Sequence, residues 1–249
     1  EDVSLMKQLN LNGYRFSISW PRVLPQGTGK VNSKGLAFYD NLVDELLAAG
    51  IEPFVTLFHW DYPYNLFCHG GWLSPESSDW FAEYTAVIVD KLSDRVKNWI
   101  TVNEVQCAVG TSYQRGQLAP GLKLPDSLIL TIGHNVLLSH GKAVQVIRAN
   151  SKIKSNVGWA PVGMVQEPES GSSDDIQKAR NEMFTINKPN YANNTWWNDP
   201  VFFGHYPEDG LEAYGSSVPE YCHRGLDIIC QELDFFGVIF TNQADRKST

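Results

Sequence analysis

The chain has 249 residues, 43% of them hydrophobic and 12% aromatic, enough apolar material for one sizeable core. A net charge of −8 argues against a surface that tracks phosphates, so nucleic acid is not the expected partner. No stretch reaches the roughly 18 apolar residues of a membrane span, and Glu1-Asp2 is not a basic leader, so a soluble, cytoplasmic protein is the expectation.

Val3, Leu5, Met6 and Leu9 recur at helical spacing and stop at Asn12-Gly13. Tyr14 to Trp20 alternates aromatic and small polar residues before Pro21, and is predicted as a strand with its exit loop. Leu36, Tyr39, Leu42, Val43, Leu46 and Leu47 mark a helix over 33–50 capped by Gly50, and Pro53 to Phe58 is the next strand. Ser74, Pro75 and Glu76 read as N-cap, first position and first turn of a helix reaching Leu92. Val96 to Val102 is a third strand, rich in β-branched and aromatic residues. A helix over 125–150 leads to a fourth strand, Asn156 to Ala160, and then to a Gly/Ser-rich loop over 162–175. Helical segments follow at 176–184, 207–214 and 225–231, and Leu233 to Phe240 is a fifth strand before a polar tail.

Strands alternating with helices imply a parallel sheet covered by helices. Five strands fall short of the eight of a closed (β/α)8 barrel, so for an α/β fold of this TIM-barrel kind, in one domain over 1–249, either three strands escape the pattern or the chain holds only a partial barrel. Cys68, Cys107, Cys222 and Cys230 have no metal-ligand spacing and are expected as reduced, mostly buried thiols. No motif asks for a metal or another cofactor.

Asn103-Glu104 closes the third strand, at the end where β/α barrels carry their chemistry. The alternative is a charge that merely leaves a strand for solvent. His59-Trp60-Asp61 follows the second complete strand directly. An imidazole can hold a sugar hydroxyl while an indole stacks on the C–H face of a pyranose, although a histidine after a strand is also common as a plain loop residue. Arg15 lies inside an otherwise apolar strand, so it needs a carboxylate partner in the interior or must face an acid on a surface helix. Trp196-Trp197-Asn198, before Asp199-Pro200, is the aromatic pair expected at a site rim.

Tyr14–Trp20, Val31–Tyr39, Pro53–Asp61, Gly70–Leu73, Trp99–Glu104, Ala119–Gly121, His140–Ala143, Asp199–Tyr206 and Leu233–Gly237 together resemble the family 1 glycoside hydrolases, the β-glucosidase and β-galactosidase family. The resemblance implies strands two to six of a (β/α)8 barrel. It implies Glu104 as general acid/base, Asn103 on the sugar 2-hydroxyl, His59 on a glycone hydroxyl, and Arg15 as the arginine beside the nucleophile, while Trp60 is expected in substrate binding from its stacking face alone. The implied substrate is a β-linked glucoside or galactoside. A retaining glycosidase needs one carboxyl group kept protonated and a second, about 5–5.5 Å away, to attack the anomeric carbon.

The sequence departs from the family at several points. No Glu-Asn-Gly run is present to supply the family's nucleophile, Val105 stands where proline is usual, and Val238 to Thr241 replaces a tyrosine-bearing strand end. Asp61 is the nearest alternative carboxylate by strand-end placement. A non-catalytic, carbohydrate-binding or receptor-like relative, or an inactive gene fragment, is the competing expectation. Unpaired apolar edges at Tyr14–Trp20 and Leu233–Phe240 predict self-association.

Overall fold

Five parallel strands follow one another across a single sheet in a computed structural model that describes residues 1–240. The expected tail over 241–249 lies outside the described residues. Helix α1 (Asp2–Gln8) precedes strand β1 (Gly13–Ser17), and α2 (Trp20–Val23) and α3 (Ser33–Ala48) lead to β2 (Glu52–Phe58). Next come α4 (Tyr64–Cys68), α5 (Ser77–Leu92) and β3 (Asn98–Asn103). A π-helical segment, Cys107–Gln114, precedes the long helix α6 (Asp126–Asn150), strand β4 (Asn156–Ala160) and the short β5 (Val162–Gly163). Helices α7 (Ser173–Phe184), α8 (Thr195–Phe203), α9 (Glu208–Tyr214) and α10 (Leu226–Ile229) fill the stretch before β6 (Phe235–Phe236) and β7 (Ile239–Phe240).

The sheet order is β1-β2-β3-β4-β6, every pair parallel, with β5 and β7 paired separately beyond it. Each long crossover returns the chain to the same end of the sheet, so the carboxyl ends of β1, β2 and β3 lie side by side. All six residues of β3 are buried, as befits a central strand covered on both faces. Trp20, Trp99 and Trp159 are fully buried in the core, and α5 packs against α6 over it.

Several local expectations change. The first strand ends at Ser17, and Trp20 opens α2 with Pro21 behind it, because proline's fixed φ suits a first helical turn. Ser74 does not cap α5. The helix begins at Ser77 after Glu76, and the Ser74 hydroxyl donates to the Glu76 carboxylate instead. The fifth strand is split: Asp234, Gly237 and Ile239 donate in turn to Val157, Trp159 and Pro161 carbonyls. Pro161 has no N–H to return, which divides the pairing into two short pieces.

The thiols are free, but only Cys222 is buried, while Cys68 is exposed. No helix among the described residues is long and apolar enough to cross a membrane. β1 pairs only with β2, and β6 only with β4, so two edges of the main sheet stand open among the described residues. They differ in character: β6 exposes Phe236, whereas β1 leaves Arg15 and Ser17 partly open to solvent and buries Phe16, so the edge expected to be apolar at β1 carries polar residues.

Candidate active site

Asn103 and Glu104 emerge at the carboxyl end of β3, between the ends of β2 and β4. The register of β3 against β4 shifts between Ile100 and Asn103, and Glu104 takes a left-handed φ of 45°. For a residue with a β-carbon that conformation costs about 1 kcal/mol, so its surroundings must hold it. The Glu104 N–H donates to the Ala160 carbonyl at 2.7 Å. The Glu104 carbonyl accepts from the N–H groups of Cys107 and Ala108, both at 2.9 Å. The backbone is thereby fixed on both sides of a half-buried carboxylate.

Asn103 is buried and gathers the neighbouring strand ends around it. Arg15 Nη2 donates to Asn103 Oδ1 and Arg15 Nε donates to Thr56 Oγ1 at 3.0 Å. A guanidinium can only donate, so it holds the Asn103 oxygen toward itself and turns the NH2 toward His59 Nε2, 3.3 Å away. Trp60, with its own left-handed φ of 85°, donates from Nε1 to the Asn103 carbonyl at 2.9 Å. Four of the expected residues, Arg15, His59, Trp60 and Asn103, thus form one connected group beside Glu104.

The electrostatics follow from that packing. His59 keeps one exposed flank, yet loss of solvent on the other and the Arg15 cation lower its pKa, favouring a neutral ring. Burial lowers the Arg15 pKa, and the Glu104 charge opposes that effect. Arg15 makes its two hydrogen bonds to neutral oxygens, so neither a carboxylate partner at contact nor a surface-helix acid satisfies it as expected. The Cys107 thiol, one turn beyond Glu104, is pushed up to about 11, first by burial and then by the Glu104 carboxylate.

Two hollows flank the group. One of about 550 Å3 is lined by Arg15, Phe38, Tyr39, Thr56 and His59. The other, about 270 Å3, is walled by Phe58, Trp60, Tyr62, Trp72 and Tyr113. Flat aromatic walls beside a few convergent polar groups suit a sugar ring and an attached apolar group.

Asp61 is spent elsewhere. Its carboxylate, raised in pKa by burial, is held by Ser19 and the Trp20 backbone, where it ties the exits of β1 and β2 together. Trp196 and Trp197 are not a rim: both indoles are buried in α8, Trp196 against Tyr206 and Tyr214, and Trp197 bonded to the Tyr191 carbonyl. The stretch around that pair is helix, with Pro200 inside it. Thr56 and Cys107 belong to the site without having been singled out. The only sequence signals were a polar residue in a buried strand and a thiol three positions after Glu104. No group of three or more His, Cys, Asp or Glu side chains able to hold a metal occurs among the described residues.

Residues 1–245 match the family model described as Glycosyl hydrolase family 1. The chain is 40% identical over 238 residues to the 1,4-beta-D-glucan glucohydrolase of Thermotoga neapolitana, covering 96% of this chain and 54% of that protein. It is 40% identical to beta-glucosidase A of Acetivibrio thermocellus, covering 97% and 52%. The solved beta-glucosidase from Thermotoga maritima in complex with castanospermine superposes with a TM-score of 0.85 at 38% identity, over 96% of this chain and 52% of that one. The chain therefore spans about half the length of the relatives it matches, and its sheet corresponds to part of their (β/α)8 barrel.

Proposed function

Because the chain belongs to glycosyl hydrolase family 1, we propose that it carries the proton-donating half of a retaining β-glucosidase site, with Glu104 as general acid/base. The observation that carries this reading is the convergence of Arg15, His59 and Trp60 on Asn103, directly beside a fixed Glu104 backbone. On this reading Asn103 and His59 hold hydroxyls of a β-glucosyl or β-galactosyl unit, and Trp60 supplies a flat face. Arg15 sets the Asn103 amide and places positive charge near the reacting centre. Glu104 gives its proton to the glycosidic oxygen as the bond to the anomeric carbon breaks. No cofactor is required for that step.

The attacking carboxylate is not identified in this sequence, which contains no Glu-Asn-Gly run. Activity of the chain alone is therefore tested with an outside nucleophile. With phenyl β-glucoside and sodium formate, Glu104→Gln is expected to lower the rate about a hundredfold, the usual worth of a positioned acid. Equal rates for the two proteins would remove Glu104 from the mechanism.

A second reading, sugar binding without turnover, is favoured by Arg15, whose two hydrogen bonds engage only neutral oxygens. Its signature is calorimetric binding of castanospermine, the ligand of the Thermotoga maritima complex, with no release of phenol under any nucleophile. We also propose that the open sheet edges let copies of this chain associate.

A further inference from the structure

Gln106 lies two residues beyond Glu104 and is 2% exposed. Its side chain does not face solvent. Gln106 Nε2 donates to the Val162 carbonyl at 3.0 Å, while the Val162 N–H donates back to Gln106 Oε1 at 3.1 Å. A single primary amide thus makes both bonds that a neighbouring strand residue would make. Val162 opens β5, the piece of chain that follows Pro161. Pro161 in turn follows Ala160, whose carbonyl accepts the Glu104 N–H at 2.7 Å.

The loop carrying Glu104 is therefore fastened to the β4–β5 segment at two points. One is the main chain of Glu104 itself, and the other is the side chain of Gln106. Between them stands Val105, which is buried and has no hydrogen-bonding side chain. Glu104 is in a left-handed conformation that a chain left to itself would abandon, and one backbone bond to Ala160 can act as a pivot. The second fastening removes that rotation. It also sets the start of the π-helical turn, where Cys107 stacks its thiol beside the Glu104 carboxylate.

We propose that Gln106 is a positioning residue for Glu104, its carboxamide clamping the loop to Val162 so that the Glu104 carboxylate stays beside Cys107 and the Asn103 group. The assignment rests on the reading of Glu104 as acid/base for its catalytic meaning. Its geometry can be tested without turnover.

Cys107 supplies the gauge, because burial and then the nearby Glu104 charge push its thiol up to about 11, with Thr111 and Arg115 acting in the opposite direction. Iodoacetamide labelling of Cys107, followed peptide by peptide as a function of pH, is measured in the unsubstituted chain, Gln106→Met, Glu104→Gln and the double variant. Gln106→Met keeps the volume and removes the amide. If the clamp holds Glu104 in place, Gln106→Met raises the Cys107 labelling rate at pH 9 roughly three- to tenfold, as expected for a more accessible thiolate. In the Glu104→Gln background the same change adds less than about twofold, because the charge it would have displaced is gone.

An unchanged rate in Gln106→Met overturns the proposal. So does an equal acceleration in both backgrounds, which would mean that Gln106 only packs the loop. If Gln106→Met does not fold, Gln106→Asn keeps an amide too short to reach both Val162 groups, and the same pair of outcomes decides. None of these results depends on sugar hydrolysis. Failure of the acid/base reading is recognised separately, by equal phenyl glucoside rates in the unsubstituted chain and Glu104→Gln.

Discussion

His140 is fully buried, its Nδ1 within 2.6 Å of Thr101 Oγ1, its ring against Trp159, and its Nε2 without a hydrogen-bond partner. Burial lowers its pKa to about 3, and lowers that of His134, held by Tyr206, to about 4. Both rings are neutral in the fold, so the unfolded chain takes up protons below about 6.5 that the native state refuses. Stability is therefore full above that pH and falls as pH drops toward the native values. Urea unfolding should show a loss of about 1.4 kcal/mol per pH unit from each ring, and His140→Gln should remove about half of the combined slope. A pH-independent midpoint between pH 7 and 5.5 would contradict this. At the same scale, Arg15 organises the Asn103 amide, so Arg15→Leu is expected to weaken castanospermine binding at least tenfold, about 1.4 kcal/mol, with calorimetry as the check. The strand-end positions of Asn103, Glu104 and His59 were legible in sequence because the place of a residue after a buried strand already defines a barrel mouth. Thr56 and Gln106 were not, because their partners are set by register across strands and not by spacing along the chain.

Helix α6 carries Gly141 in its middle, a residue that weakens a helix unless close packing requires it. A β-carbon there would stand 2.0 Å from the Ile228 carbonyl oxygen, so α10 can lie directly on α6 only because the side chain is absent. Gly141→Ala should destabilise the protein by about 2–3 kcal/mol despite alanine's better helix propensity, measurable as a lower urea midpoint. A stabilised variant would show that α10 moves freely. The central strands β2, β3 and β4 could be read from apolar runs between helical periods, since burial on both faces leaves a strong compositional mark. Helix α8 could not, because an internal proline hides its helical pattern and the tandem tryptophans imitate a rim. The last strand was found but not its division, which depends on which residue of the neighbouring strand happens to be proline.

The described sheet ends on two unlike edges, one presenting Arg15 and Ser17 and the other presenting Phe236 against exposed Phe202. Unpaired backbone next to exposed phenylalanine favours association, so sedimentation velocity should show a weight-average mass that rises with protein concentration. Phe236→Lys, which places a charge on the apolar edge, should reduce that rise, and a stable monomer for both proteins would count against the edge as a contact surface. The family was foreseeable from segments spread along the chain, and the partial barrel from those segments together with a count of strands. Which edge would be oily was not, because alternation along β1 was read without knowing which face the helices cover. The polar cluster has its own bearing on assembly: Arg15 and Asn103 are 88 positions apart and His59 and Asn103 are 44 apart, each on a different stave. No single β/α unit can display the cluster, so affinity for a sugar mimic will appear only after three units have docked in register. A fluorescent iminosugar added during refolding would then report that docking event itself, timing the moment when separate hairpin-sized pieces become one receptor.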